Sequence, residues 1–135
     1  MYDHILIPVA FDEKRPPNAA LDVARLLVAQ GGRVTLLHVM EETPVYAISY
    51  IDEGYLANLR EGLQTELTRL ADGFENGAGV LVDGHAARTI LDWAQAESVD
   101  CIVMRSHKPD LSDYVLGSTA SHVARHAAVS VHLLR

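Results

Sequence analysis

Residues 101–135, at the end of the chain, read CIVMRSHKPDLSDYVLGSTASHVARHAAVSVHLLR. The apolar run at 101–104 predicts a buried strand, and residues 118–127 have the spacing of a short amphipathic helix. The apolar residues at 130–134 predict a final strand. A strand, a crossover helix and a second strand in this order form a βαβ unit, in which the two strands are parallel.

The rest of the chain continues this alternation. Further strands are predicted at 4–10, 33–39 and 79–84. Helical patterns lie between Pro16-Pro17 and Gly31-Gly32, over about 53–74 and over about 86–97. Near-continuous apolar strands that alternate with amphipathic helices are typical of a parallel sheet covered on both faces. We therefore predict a single-domain α/β fold with a parallel five-stranded sheet and helices on both faces.

The connection after the fourth strand is the first candidate for a ligand site. In parallel sheets, ligands bind beyond the carboxyl ends of the strands, at the point where the strand order reverses. Residues 105–117 leave that end, and the segment is longer than the roughly two to six residues usual for such a connection. It also supplies a small cationic cluster, Arg105, His107 and Lys108.

The sequence LGST at 116–119 has the features of a phosphate site at the start of a helix. Backbone N–H groups without helical partners and the positive end of the helix dipole both favour an anion there. Gly117 would allow close approach of the backbone, and Ser118 and Thr119 would add hydroxyl donors. The alternative is purely structural, with Gly117 as a turn residue and Ser118 as the N-cap.

Composition limits the other classes of function. The chain has 135 residues, 49% of them hydrophobic, and a formal net charge of −7. That charge disfavours nucleic acid and anionic membranes as partners. No apolar run is long enough to span a bilayer, and the first residues lack a signal-peptide pattern. With Cys101 as the single cysteine, a buried thiol in a reducing cytoplasm is expected.

Several stretches together resemble the universal stress protein family. They are ILIPV at 5–9, LLHV at 36–39, Gly84 leading into ARTILDWA, CIVM at 101–104, and LGSTASHVARHAAVSVHLLR at 116–135. The final stretch is the most specific of them. The resemblance spans essentially residues 1–135 as one domain, and it implies strand order 3-2-1-4-5 and an adenine nucleotide alpha-hydrolase-like fold.

The resemblance also implies ATP or a related adenine nucleotide, with or without Mg²⁺, as the ligand. Many family members bind ATP through glycine, two residues, glycine, nine residues, and Gly-Ser or Gly-Thr. Here Met104 and His107 stand at the first two glycine positions. His107 belongs to a variant motif, SHxPD, that resembles one branch of the family. Ala10 stands where the family often has an aspartate. His107 either donates to a phosphate or fills its place.

By the same resemblance, a set of residues at the strand ends and the helix start would surround the nucleotide. Pro8, Val9 and Ala10 would border the nucleoside, Val39 would contact adenine, and Val103 and Met104 would line the floor of the pocket. His107, Gly117, Ser118 and Thr119 would face the phosphates.

Other sites and activities are less well supported. His122 and His126 have a spacing that can bind metal, but a surface or partner-facing role is favoured because no further ligand joins them in sequence. His4, His38 and His132 are expected to be hydrogen-bonded structural residues of strands. GxSxG, Walker and HExxH motifs are absent, so we expect binding rather than catalysis. Asp110 and Asp113 are interpreted as solvated loop residues.

Two further interpretations concern relatives and partners. A response-regulator receiver would place its phosphoacceptor at Asp83, but it would end with a helix rather than with the strand at 130–134. That strand would be an apolar sheet edge, and by resemblance it would pair across a two-fold axis in a homodimer. The remaining alternative is a family member without nucleotide that acts only through an unidentified protein partner.

Overall fold

The structure is a computed structural model that describes residues 1–11, 17–41, 52–106 and 116–135. Strands and helices alternate along the chain, as the sequence predicts. The elements are β1 (Tyr2–Pro8), α1 (Asn18–Leu27), β2 (Val28–Met40), α2 (Glu53–Ala71), β3 (Gly77–Asp83), α3 (Ala86–Ala96), β4 (Cys101–Arg105), α4 (Ser118–His126) and β5 (Ser130–Leu134).

The five strands form one parallel sheet in the order β3-β2-β1-β4-β5, which confirms the predicted architecture. From β1 the sheet grows first through β2 to β3, and then on the other side of β1 through β4 to β5. The strand order therefore reverses between β1 and β4. The carboxyl ends of these two strands form the edge at which such sheets bind ligands.

Each face of the sheet has its own hydrophobic core. Side chains of α1 and α2 pack on one face against Ile5, Ile7 and Val103. Side chains of α3 and α4 pack on the other face against Leu6 and Met104. Because neighbouring residues of a strand point to opposite faces, the apolar run of β1 at residues 5–7 supplies both cores at once.

The first helix and the second strand differ from their predicted bounds. The helix ends at Leu27, and β2 starts directly at Val28 instead of at Arg33. Tyr2 pairs with Val28 and His4 pairs with Arg33, so the strand bulges between these two pairs. Gly31 has a φ of +76° and lies in this bulge. The Gly31-Gly32 pair thus shapes a strand and does not end a helix.

The buried apolar side chains of helix α2 lie in its second half. Leu67, Leu70 and Ala71 are buried, whereas Leu59 and Tyr55 near its start are exposed. Where it packs, the approach to β3 is close. A Cβ placed on Gly79 would lie 2.7 Å from the backbone carbon of Leu67 and 2.7 Å from its Cβ. The absence of a side chain at residue 79 therefore sets the distance between helix and sheet.

We expect Gly79→Ala to destabilise the protein by about 1–3 kcal/mol, because the helix backbone must move to admit the methyl group. Gly62→Ala in the same helix is the matched control. A Cβ at Gly62 meets nothing within 4 Å, so this change should raise stability by up to about 1 kcal/mol through helix propensity. Urea unfolding of both variants checks the pair, and equal effects would contradict the close approach.

A buried polar network lies at the opposite end of the sheet, at the amino ends of the strands. His4 is buried, its Nδ1 lies 3.0 Å from the Glu97 carbonyl oxygen, and its Nε2 lies 2.8 Å from Thr35 Oγ1. These contacts suit a neutral imidazole that donates from Nδ1 and accepts at Nε2. Burial lowers the pKa of His4; the bond to the Glu97 carbonyl opposes the effect, and the charge of Arg33 adds to it.

The direction of that shift predicts how stability depends on pH. Because the native state holds His4 neutral, the unfolded chain binds the proton more readily, and stability is lost as the pH falls through and below the ordinary histidine value. We expect a lower urea midpoint at about pH 5.5 than at about pH 7.5. His4→Gln should reduce the difference, whereas His132→Gln, which changes an exposed residue of β5, should preserve it. An unchanged difference in His4→Gln would contradict this origin.

Cys101 lies in the first core, as the sequence suggests. Its side chain is almost fully buried, and it makes no disulfide. Burial raises the pKa of the thiol to about 11, and the neighbouring charge of Asp100 acts in the same direction. The thiol is therefore protonated at neutral pH and serves as a small apolar side chain.

Candidate functional site

The start of α4 is fixed against the end of β4 by backbone hydrogen bonds. The Gly117 N–H donates to the Ser106 carbonyl at 2.7 Å, and the Ser121 N–H donates to the Gly117 carbonyl at 2.8 Å. Gly117 is thus the N-cap, with φ −61° and ψ 158°. The backbone of Gly117 is extended, and its φ is one that any residue adopts. What is particular to Gly117 is its backbone contact with Ser106, directly after β4.

Gly117 as the N-cap shows that the alternative interpretation of Ser118 as the N-cap is wrong. Ser118 is the first residue of the helix and is exposed. Within the described part of the chain, no side chain caps α4. The N–H groups of Ser118, Thr119 and Ala120 precede the first helical bond, so they have no acceptor inside the helix. Together with the helix dipole they form a potential anion site.

Ser106 is the residue at this end of the sheet that the sequence analysis did not single out. It is 1% exposed, its N–H donates to the Leu134 carbonyl at 2.6 Å, and its carbonyl accepts from Gly117. Among the described residues, nothing pairs with its buried Oγ. Its position directly after a buried strand was the available signal, because strand ends carry the ligand groups in this class of sheet.

The end of β1 is held by its neighbour β2. The Val9 N–H donates to the Leu37 carbonyl at 2.8 Å, and His38 Nδ1 donates to the Val9 carbonyl at 2.6 Å. The ring of Phe11 meets the His38 ring edge to face, with centroids 4.8 Å apart. His38 is therefore a hydrogen-bonded structural residue, as predicted, and it fixes the backbone where β1 leaves the sheet.

The apolar site residues predicted from the resemblance divide between the two cores. Val9 and Val103 are buried in the first core, whereas Met104 is buried in the second, against which Val39 packs. Pro8 ends β1 and is half-buried, and Ala10 is exposed. Val103 and Met104 therefore point to opposite faces of the sheet and do not form one shared side-chain surface.

Some predicted residues lie outside the described part of the chain. They are His107, Lys108, Asp110 and Asp113. Of the predicted phosphate-facing residues, the structure describes three: Gly117 is buried, Ser118 is exposed and Thr119 is half-buried. It brings these three together at the start of α4, next to Ser106.

The other strand ends carry structural contacts. The Gly84 N–H donates to the Met40 carbonyl at 3.0 Å, and Gly84 has a φ of +146°, which an L-residue rarely adopts. The carboxylate of Asp83, the position that a receiver would phosphorylate, pairs with the Arg60 guanidinium. This edge of the sheet is thus stabilised by side chains and backbone of neighbouring elements.

The fold and this geometry define a class of protein, the doubly wound α/β domains with a switch point between two neighbouring strands. Within that class, the family model described as "Universal stress protein family" matches residues 1–135. The chain belongs to the universal stress protein family. Universal stress protein G of Escherichia coli O157:H7 is 26% identical over an alignment of 142 positions, which covers all of both chains.

A solved structure shares the fold. The structure of hypothetical protein MJ0577 is similar at a TM-score of 0.80 and 27% identity, over 99% of this chain and 96% of that one.

Two solved relatives carry nucleotides. A universal stress protein in complex with cAMP shares the fold at a TM-score of 0.71 and 14% identity, over 99% of this chain and 97% of that one. One from Archaeoglobus fulgidus, in complex with dAMP, shares the fold at a TM-score of 0.66 and 18% identity, over 99% of this chain and 98% of that one.

Among the helices described here, none has the length and apolar character needed to cross a membrane.

Proposed function

We propose that this universal stress protein binds an adenine nucleotide, with ATP as the first candidate, at the edge formed by the ends of β1 and β4. The observation that carries the proposal is the start of α4, where three backbone N–H groups without helical acceptors lie beside a strand end. Family relatives hold cAMP and dAMP, which share the adenine base and a phosphate.

In this proposal the residues have different roles. The N–H groups of Ser118 and Thr119 and the Ser118 hydroxyl bind phosphate, and Gly117 gives the phosphate access to the backbone. Pro8, Val9 and Ala10 border the nucleoside, Val39 contacts adenine, and Val103 and Met104 support the floor through their backbone at the strand end. His107 remains a predicted phosphate ligand. Mg²⁺, where present, would accompany the phosphates.

The protein would act by binding and not by turnover, as a single domain over residues 1–135 in the cytoplasm. Nucleotide at the start of α4 would alter the connection 105–117, and a protein partner would read that change. The competing function is interaction without nucleotide. Met104 favours it, since a buried core side chain occupies the position of the first family glycine.

The simplest test examines what the protein carries. Freshly purified protein is denatured, and the supernatant is examined for adenine by absorbance and mass spectrometry, followed by calorimetric titration of ATP, AMP and cAMP. Release or binding of an adenine nucleotide supports the proposal. If no adenine is released and none of the three titrations gives heat, the interaction-only function is correct.

A proline at residue 118 tests the backbone donors directly. Proline is well tolerated at the first position of a helix and lacks an N–H, and Gly117 already has the extended backbone that must precede it. A hydrogen bond to a charged group contributes about 1.5–3 kcal/mol, so Ser118→Pro should weaken nucleotide binding by roughly ten- to a hundredfold. Calorimetry measures the loss.

Two variants control that experiment. Ser118→Ala keeps the N–H and removes only the hydroxyl, so it should bind within a few-fold of the original protein. Ala86→Pro places proline at the start of α3, next to the far-edge strand β3, and should leave affinity unchanged. Unaltered binding by a folded Ser118→Pro protein would remove the phosphate role of this helix start.

We also propose a homodimer through β5. This strand pairs with β4 on one side and is the edge of the sheet. Val131 and Leu133 pack on the second core, yet both remain partly exposed. An apolar sheet edge of this kind favours pairing with a second strand, and symmetric dimers are the commonest oligomers.

Leu133→Lys should convert the dimer to a folded monomer, because a charge would be placed in the interface between the two edge strands. Ser130→Lys is the matched control, since it adds the same charge to the same strand at a position that is already exposed. Light scattering gives the mass, and circular dichroism checks the fold. A dimer that persists in folded Leu133→Lys would exclude this interface.

A further inference from the structure

One face of α4 carries a polar stripe that the fold does not use. Its residues line a shallow groove of about 180 Å³ and recur at helical spacing: Ser118, Ser121, His122, Arg125 and His126. The opposite face of the helix, with Ala120 and Val123, is buried against the sheet. The stripe therefore faces outward and is free of any role in the core.

His122 and His126 lie side by side in this groove. Their ring centroids are 4.6 Å apart, the ring planes are inclined by 43°, and both side chains are exposed. A spacing of four residues puts them on adjacent turns of the same face. The χ2 torsion of histidine, about the Cβ–Cγ bond, has a broad distribution of angles. Exposed rings can therefore rotate in place and turn a nitrogen toward a shared ligand.

The separation of the rings matches that of two imidazoles on one metal ion. Nitrogen ligands lie about 2.0–2.1 Å from the metal, which puts each ring centroid about 3.2 Å away. In a tetragonal or octahedral ion the two metal–nitrogen bonds can meet at about 90°, and the ring centroids then lie about 4.5 Å apart. At the tetrahedral angle the centroids lie about 5.2 Å apart. The observed 4.6 Å fits the right-angled arrangement.

We propose that His122 and His126 form a two-histidine site for a divalent transition metal, with affinity in the order Cu²⁺ above Ni²⁺ and Zn²⁺. The described residues hold no group of three or more potential ligands from His, Cys, Asp and Glu, so water completes the coordination. The protein's net charge of −7 attracts cations. The carbonyl end of α4, beside His126, does so as well.

Arg125 lines the same groove, and its positive charge opposes a bound cation. That charge separates the metal site from its rival, a groove that binds anions through Arg125 and protonated histidines. For a metal, Arg125→Gln should tighten binding by roughly two- to fivefold, the range of weak exposed charge interactions. For an anion, the same variant should weaken binding.

The experiment titrates metal-stripped protein with Cu²⁺, Ni²⁺ and Zn²⁺ in a buffer free of chelators and nucleotide, so the outcome does not depend on the proposed function. Calorimetry gives affinity, and electron paramagnetic resonance of the Cu²⁺ form counts nitrogen ligands. His122→Gln and His126→Gln should each lose at least about tenfold in affinity, since even the loss of an outer-shell partner costs this much.

The decisive control keeps the number of histidines constant. The double change His122→Ala and Ala124→His leaves histidines two residues apart, where they no longer share a face of the helix. Ala124 is exposed, so the fold should tolerate the change. Affinity equal to that of the original protein would overturn the proposal, and so would phosphate binding with no uptake of metal. A resonance spectrum with fewer than two nitrogen ligands would overturn it as well.

Discussion

A single backbone hydrogen bond, from the Gly117 N–H to the Ser106 carbonyl, joins the two halves of the candidate site. It holds the start of α4 against the end of β4, and β4 is the strand next to β1 at which the strand order reverses. Because the Gly117 N–H is used in this way, the free donors are those of the next three residues. The direction from which an anion would reach these donors in the proposed site follows from this one contact.

The sequence predicts the sheet well because a buried strand can be recognised from a short run of apolar residues. The bounds of β5 are as predicted, and those of α3, α4 and β4 differ by one residue. The bounds of β1 (predicted at 4–10), β3 (79–84) and α2 (about 53–74) are off by up to two or three residues. The larger failures lie where pairing between distant parts of the chain decides the structure. The bulge of β2 forms opposite Tyr2 and His4, and no local period shows that Gly31-Gly32 belongs to a strand. Likewise, Leu59 continues an apolar stripe yet is exposed, and the buried apolar side chains of α2 all lie in its second half.

The candidate site is predictable in outline and less so in detail. The glycine before the last helix and the two following hydroxyl residues mark its position from sequence alone. Which of them caps the helix depends on where β4 ends, and the structure assigns that role to Gly117. Ser106 is the first residue of SHxPD, but that pattern reveals neither its burial nor its two backbone hydrogen bonds. Val103 and Met104 point in opposite directions because successive side chains of a strand alternate between the faces of the sheet. This alternation alone does not show which of the two points to which face.

The burial of Cys101 limits the chemistry that its sulfur can undergo. With its pKa raised to about 11, the thiol is almost entirely protonated at neutral pH, and the thiolate is the form that peroxides attack. Cys101 is also the only cysteine of the chain. Peroxides would therefore leave the Cys101 thiol reduced, which makes this sulfur unsuited to sensing redox state.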